Sequence, residues 1–286
     1  MTDAARAISV TLDLEDHRLG TDVAQRYKKN GARILEFLDA RSIRATVFVV
    51  GDVVDPCRAL IRAASDAGHE LALHSATHTP LTYEHAKQLA PQLNRARETL
   101  QEMTGKAVIG FRAPVFSLTP ATAWVTDLLT ECGFRYSSSV LPAAHPLHGY
   151  PGAPQETFRW PSGLIEFPVP LAQVGPASLP FLGGIYLRYL PLAVIRALSN
   201  KLADGTVRWT YLHPYDIDAE EPYYRFPGTT APMSVLLWRR RRHTLKRLDA
   251  LVSGAGHRAG LPLAELCATA EQDNLAHFAP SAANKD

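Results

Sequence analysis

Two histidines four residues apart are the first side chains in this sequence that could do chemistry together. His74 and His78 follow the apolar run Leu71–Leu73, which predicts a short buried strand ending at His74. Neutral imidazole is the commonest protein ligand for zinc-like ions, and a catalytic site needs a third ligand and an open position. An isolated pair of this kind is as often structural, so its meaning depends on what the other strand ends carry.

Three more predicted strands end beside polar groups. They are residues 8–12, which precede Asp13, Glu15 and Asp16; residues 108–111, which precede Arg112; and residues 207–212, which precede His213. In barrels of parallel strands the carboxyl ends of the strands face one mouth, so these groups are expected to meet there. A metal, a carboxylate base and an imidazole acid are the parts needed for metal-assisted hydrolysis.

The intervening segments predict the elements that would position these groups. Strand and helix patterns alternate as far as Tyr136, which favours a parallel sheet with helical crossovers. Residues 142–157 carry no period and predict a loop. A helix is predicted over residues 233–252, and we interpret the run Arg239–Arg242 within it as a solvated face rather than as a site for phosphate or an acidic sugar.

Composition limits the class of protein. The chain has 286 residues and a net charge of +2, which predicts no strong general attraction to nucleic acid or membrane. Three widely spaced cysteines indicate reduced thiols. We see no signal-peptide pattern and no apolar run near the ~18 residues of a membrane span, so we expect a cytoplasmic protein. One domain is expected over residues 1–275, with a disordered tail over residues 276–286.

Together the strand-end motifs resemble those of the polysaccharide deacetylases, also called the NodB-homology family or carbohydrate esterase family four. The matching segments are residues 13–16 (DLED), 74–78 (HSATH), 110–116 (GFRAPVF) and 212–213 (LH). Residues 110–117, 183–191 and 211–218 are most similar to the branch found in exopolysaccharide gene clusters. The resemblance implies an α/β fold, an irregular (β/α) barrel of about seven parallel strands.

The resemblance also implies a divalent metal held by His74, His78 and one carboxylate. The ion would be Zn²⁺, with Co²⁺, Fe²⁺ or Ni²⁺ as alternatives. For the carboxylate we favour Asp16 over Glu15, because the pair Glu15–Asp16 then aligns with the adjacent acids of the family. For proton transfer, the resemblance implies Asp13 as the base, Arg112 as the residue that orients Asp13, and His213 as the general acid. For the substrate, it implies an oxyanion donor from the backbone near Val115, Leu212 as the lining of the acyl pocket, and Tyr186 and Arg188 as sugar contacts.

One departure from the branch lies at Ser137, where an aspartate is usual; if that aspartate supports the acid, another residue must do so here. The resulting expectation is a metal-dependent hydrolase that removes an N-acyl group, most simply N-acetyl, from a nucleotide-linked, lipid-linked or oligosaccharide amino sugar used for surface polysaccharide. The alternatives are a sugar N-deformylase, a hydrolase of cyclic amides, and an inactive sugar-binding relative.

Overall fold

The computed structural model describes residues 6–18, 26–145, 148–175, 177–203, 205–226, 228–254 and 256–279. Strands and helices alternate through the first half of the chain, as predicted. The strands are β1 (Ala7–Leu14), β2 (Thr46–Val49), β3 (Glu70–Leu73), β4 (Gly110–Phe111), β5 (Tyr136–Ser137), β6 (Phe158–Arg159), β7 (Ile165–Glu166), β8 (Leu171–Val174), β9 (Ala177–Pro180), β10 (Trp209–Leu212), β11 (Arg258–Ala259) and β12 (Ala276–His277).

The α-helices are α1 (Arg26–Asp39), α2 (Arg58–Asp66), α3 (Ala86–Thr104), α4 (Val125–Glu131), α5 (Gly184–Tyr189), α6 (Leu192–Ser199), α7 (Ala231–Trp238), α8 (Thr244–Val252) and α9 (Leu263–Ala270). Residues 19–25, which precede α1, lie outside the described residues. No described helix is both long enough and apolar enough to cross a bilayer.

Seven strands lie side by side and parallel, in the order β10-β1-β2-β3-β4-β5-β7. This confirms the predicted α/β fold with its mainly parallel sheet. Within the described residues, backbone hydrogen bonds do not join β10 to β7. Instead Nε1 of Trp209 donates to the carbonyl of Pro168 at 3.1 Å, and the buried indole packs in the gap. The strand β6 extends the sheet antiparallel to β7, and β12 pairs with β6.

The strand β1 shows how the sheet separates core from site. Leu12 and Leu14 pack in the main apolar core together with residues of α1 and α2 such as Ile34 and Ile61. Thr11, on the opposite face, contacts the guanidinium of Arg112. Because side chains alternate along a strand, one face of β1 stabilises the helical layer while the other supplies the interior of the barrel.

Two predicted elements end differently from expectation. The helix predicted over residues 233–252 is broken between α7 and α8, since Arg240 adopts a left-handed conformation with φ 61°. The first residues of the tail predicted from residue 276 are structured, because β12 pairs with β6 and Phe278 packs against Trp160, with ring centroids 5.5 Å apart. Residues 280–286 of that tail lie outside the described residues.

Candidate active site

Three side chains at the carboxyl end of the sheet converge in metal-binding geometry. Glu15, His74 and His78 each offer one ligand atom, and these atoms all lie within 4.8 Å of one another. Oε2 of Glu15 is 2.5 Å from Nε2 of His78 and 3.6 Å from Nε2 of His74. Glu15 and His74 are buried and His78 is partly exposed, so the cluster is open to solvent on one side.

The backbone around the histidines fixes their direction. Nδ1 of His74 donates to the carbonyl of Arg112 at 2.9 Å, which leaves Nε2 as the free acceptor. The turn after β3 packs against Gly51, whose N–H donates to the carbonyl of Ser75. A Cβ at Gly51 would lie 2.5 Å from the carbonyl oxygen of Ala76, so only glycine allows this close approach.

The structure places Glu15, and not Asp16, beside the histidines. Strand β1 continues to Leu14, so Glu15 still emerges on the same face as Asp13, whereas Asp16 turns away. Oδ1 of Asp16 accepts a hydrogen bond from the backbone N–H of Arg18 at 2.9 Å. The preference for Asp16 as the third ligand is therefore corrected to Glu15.

These residues fit a divalent ion of the zinc type. Oε2 of Glu15 is buried, and no donor in the described part of the chain reaches it with hydrogen-bond geometry. Burial alone would raise the pKa of Glu15, but His78 and His74 outweigh it and hold the pKa well below its ordinary value. Two imidazoles and one carboxylate match the donor set of catalytic zinc sites, which keep a fourth position open.

A buried ion pair lies next to this cluster. Nη1 of Arg112 is 2.6 Å from Oδ1 of Asp13 and also donates to Oγ1 of Thr11. Its guanidinium lies between the rings of Phe48 and Trp209, at 3.9 and 4.4 Å from their centroids. Held on every side, Arg112 fixes the orientation of Asp13 and is not itself accessible.

On the other side of Asp13 lies His213. Its Nε2 is 3.7 Å from Oδ2 of Asp13, and its Nδ1 is 2.8 Å from Oδ2 of Asp216. Tyr215 stacks on the imidazole, with centroids 4.7 Å apart and planes 10° apart. Burial would lower the pKa of His213, but the hydrogen bond with Asp216 and the nearby charge of Glu15 raise that pKa to about 9. The imidazole is therefore protonated at neutral pH.

The sequence analysis did not identify Asp216, whose carboxylate contacts Nδ1 of His213. The spacing His-x-x-Asp on a single turn was the available signal. Asp216 is fully buried, and its Oδ1 lies 3.3 Å from Nη2 of Arg188. Burial would raise the pKa of Asp216, whereas Arg188 and His213 lower it below its ordinary value.

Arg188 was predicted as a sugar contact, and its geometry corrects that role. The guanidinium has no solvent exposure, and Nη1 donates to the carbonyls of Leu237 and Arg239. A side chain enclosed in this way cannot reach a substrate. Arg188 instead forms a buried ion pair with Asp216.

Leu212 was predicted to line the acyl pocket, and this too is corrected. It pairs in register with Leu12 and is fully buried in the same apolar core, facing the helices. Tyr211, two residues before His213, lies on the same face of β10 as His213, and their rings lie 5.7 Å apart.

Tyr186, on α5, is partly buried, and burial raises its pKa. Tyr186 remains a candidate contact for the sugar.

The loop after β4 forms another wall of the site. Val115 and Phe116 have positive φ values of 49° and 53°, a conformation that is rare for β-branched residues such as valine and for bulky residues such as phenylalanine. Oγ of Ser139 accepts from the backbone N–H of Ala113 at 2.8 Å, and Ser137 donates to the same oxygen. Ser137 thus supports this loop and does not contact His213 through any bond that the structure describes.

Comparison with known proteins agrees with this arrangement. A family model described as polysaccharide deacetylase matches residues 4–137, and one described as a domain of unknown function, DUF3473, matches residues 138–258. Glu15, His74, His78 and Arg112 fall in the first match and His213 in the second. Both matched stretches supply strands to the same sheet.

Curated relatives match over shorter stretches. The peptidoglycan deacetylase of Helicobacter pylori is 29% identical over 109 residues, 38% of this chain and 36% of that protein. The peptidoglycan-N-acetylmuramic acid deacetylase PdaA of Bacillus subtilis is 34% identical over 74 residues, 26% of this chain and 28% of that protein. The matched region thus spans about a third of each relative.

The fold is similar to that of solved structures over nearly the whole chain. A crystal structure from Mycobacterium smegmatis, whose description also names a polysaccharide deacetylase, aligns with a TM-score of 0.66 at 19% identity, covering 99% of this chain and 96% of that one. This likeness supports the fold alone.

Proposed function

We propose that this chain, whose residues 4–137 match the family model described as polysaccharide deacetylase, is a metal-dependent hydrolase that removes an N-acetyl group from an amino sugar. The observation that carries the proposal is the convergence of Glu15, His74 and His78 beside Asp13 and His213. This convergence supports the assignment of a ligand set, a base and an acid around one opening.

Glu15, His74 and His78 would hold the ion, with Zn²⁺ as the first candidate and Co²⁺, Fe²⁺ or Ni²⁺ as alternatives. When bound, such an ion polarises a carbonyl oxygen and lowers the pKa of water. Residues of the chain itself supply the proton transfers, and their positions determine which of them accepts a proton and which donates one.

Asp13 accepts a proton from the water that attacks the acyl carbon. Arg112 holds this carboxylate ionised and aims it, and takes no part in bond making. As the C–N bond breaks, His213 donates the proton on its Nε2 to the departing nitrogen, and Asp216 stabilises the imidazolium until that moment. The products are the free amine of the sugar and a carboxylate. The left-handed backbone at Val115 and Phe116 supports an oxyanion contact from this loop.

The substrate we propose is an acylated amino sugar in nucleotide-linked, lipid-linked or oligosaccharide form, on the route to a surface polysaccharide. Tyr211, at the face of the acid, replaces Leu212 as the proposed lining of the acyl pocket, and Tyr186 is the proposed sugar contact. Cys57, Cys132 and Cys267 are free and buried, which supports a reducing, cytoplasmic setting.

The test is release of acetate or formate from a panel of N-acylated nucleotide sugars and chito-oligosaccharides, with protein loaded with each metal in turn. The double variant His74→Ala/His78→Ala is the control. Acetate release that requires the two histidines supports the proposal. Release of formate alone would assign a deformylase, and metal binding without any turnover would assign an inactive relative.

A further inference from the structure

The helix α7 has the reverse of the pattern expected for a surface helix. Its sequence is APMSVLLW, and Ser234, its single polar residue, is fully buried. Ser234 accepts from the backbone N–H of Phe226 and bonds the hydroxyl of Thr229. Met233 and Leu236 instead project into solvent, with 44% and 39% of their surface exposed. A helix that buries its hydroxyl and exposes two large apolar side chains is suited to an apolar partner on that exposed face.

The chain around this helix is strongly basic. Residues 222–248 contain no aspartate or glutamate, and they contain seven basic residues. These are Arg225, Arg239, Arg240, Arg241, Arg242, Lys246 and Arg247. The small net charge of the whole chain conceals this segregation, because the acidic residues lie elsewhere in the sequence.

Not all of these cations are available. Arg241 is buried and pairs with Glu221, and Arg247 donates to the carbonyls of Leu187 and Leu190. Arg239, Arg240 and Arg242 are exposed. The break after α7, rather than a continuous helix, is what turns them outward.

The apolar and basic parts form one surface. The hydroxyl of Tyr189 donates to the carbonyl of Leu236 at 3.1 Å, and the guanidinium of Arg240 lies 4.9 Å from the centroid of the same ring. Tyr223, 47% exposed, meets the ring of Trp238 at the end of α7. We call this set, Tyr223, Met233, Leu236, Arg239, Arg240 and Arg242, the α7 surface.

We propose that the α7 surface docks the protein onto an anionic lipid bilayer, with Met233 and Leu236 inserted among the lipids and the arginines on the headgroups. Exposed apolar side chains flanked by arginines are the composition that binds at a membrane interface. A second copy of this chain is disfavoured as the occupant, because it would bring like charges together. A soluble acidic polymer would use the arginines but leave Met233 and Leu236 in water.

The buried face of α7 is connected to the site by a chain of contacts. Phe226, which is hydrogen-bonded to Ser234 of α7, contacts Tyr215 with centroids 5.3 Å apart, and Tyr215 stacks on His213. Docking through α7 would therefore hold the site a few side chains away from the docked helix. This placement does not depend on the reaction that the site performs.

Sedimentation with vesicles tests the proposal on the full chain without reference to turnover. Vesicles of phosphatidylglycerol mixed with phosphatidylcholine should bind the wild type, and vesicles of phosphatidylcholine alone should not. Arg239→Gln/Arg240→Gln/Arg242→Gln should weaken binding about a hundredfold, given the attraction of each basic residue to an anionic surface. Met233→Ser/Leu236→Ser should weaken it about tenfold with no change of charge.

Two matched variants serve as controls. Arg62→Gln/Lys87→Gln/Arg95→Gln removes three exposed charges from α2 and α3, and Leu261→Ser removes an exposed apolar side chain elsewhere. Both should bind vesicles like the wild type, and circular dichroism should confirm that every variant is folded.

Three results would overturn the proposal. The first is no binding to the anionic vesicles. The second is unchanged binding by Met233→Ser/Leu236→Ser together with equal affinity for dextran sulfate, which would indicate a soluble acidic polymer. The third is a wild-type dimer, seen by light scattering, that the same serine variant dissociates.

Discussion

Nδ1 of His213 lies 2.8 Å from the carboxylate of Asp216, three residues further along the chain and fully buried. Arg188 of α5, 28 residues before Asp216 in the chain, faces the other oxygen of that carboxylate. His213 is therefore oriented by two enclosed side chains, Asp216 and Arg188. The carboxylate that bonds the imidazole comes from the turn that carries the histidine itself.

Asp216→Asn should reduce kcat on an N-acetyl amino sugar about tenfold to a hundredfold, with metal content and KM unchanged, because the imidazolium loses its charged partner. In the wild type kcat should fall as alkaline pH removes the proton from His213, whose pKa the hydrogen bond with Asp216 raises. In the variant this fall should occur at lower pH.

Asp218→Asn is the matched control, because Asp218 is also buried but pairs with Arg26 on α1. It should lower the melting temperature without moving the pH profile. Identical pH profiles for wild type and Asp216→Asn would mean that Asp216 serves the fold alone.

Metal affinity should separate Glu15 from Asp16. Glu15→Gln should lose most of the bound ion after dialysis, because a neutral amide replaces the only carboxylate of the ligand set. Asp16→Asn should retain it, since Asp16 bonds the backbone of Arg18 instead. Elemental analysis of both variants measures their metal content. If Asp16→Asn alone lost its metal, Asp16 and not Glu15 would be the third ligand.

Asp13→Asn should keep the metal and lose turnover by at least about a hundredfold, as expected for removal of a positioned base. Its amide can still accept a hydrogen bond from Arg112, so the fold and the ligand set should survive. Metal content and melting temperature, measured on the same sample as kcat, check this. A variant that lost its metal together with its activity would place Asp13 among the ligands.

Acid should destabilise the protein partly through Glu221. Burial would raise the pKa of Glu221, but His17 and Arg241 outweigh it and lower that pKa from 4.5 to about 2. A carboxylate with a lowered pKa contributes stability above pH 4.5 and loses it as pH falls toward 2, here about 3 kcal/mol. Glu221→Gln should lack this component.

Urea unfolding at pH 6 and at acid pH measures the effect. Glu220→Gln is the control, because that neighbouring side chain is 75% exposed. If the wild type and Glu221→Gln lost the same free energy of unfolding between those pH values, Glu221 would not be the acid-sensitive group.

The sequence was sufficient for the parts of the site that follow strand ends directly. Each of these parts lies at or just after the carboxyl end of a parallel strand, and such ends face the same side of the sheet. They are Asp13, His74, His78 and Arg112. The errors at Asp16 and Leu212 share one cause. In each case alignment with a motif was preferred to strand alternation, which assigns Glu15 to the face of Asp13 and Tyr211 to the face of His213.

Other features depend on tertiary contacts that no local pattern contains. The role of Arg188 is set by Asp216 and by two carbonyls at the end of α7, all distant in sequence. The break at Arg240 lies within an uninterrupted helical pattern and is fixed by packing instead of by a helix-breaking residue. Propensity is a weak guide in such segments, since tertiary context overrides it.

The remaining prediction concerns His213, because it decides between a working hydrolase and a relative that only binds sugar. An amine is too basic to leave unprotonated, so cleavage of an amide needs an acid on the side of the departing nitrogen, and such an acid is worth ~10²–10⁴-fold in rate. His213→Ala should therefore keep its metal and fold yet lose at least about a hundredfold in kcat on an amide. The loss should be far smaller on an aryl acetate, whose leaving group needs little protonation. Equal losses on both substrates would show that His213 serves the metal site or the fold, and the acid would have to be another residue.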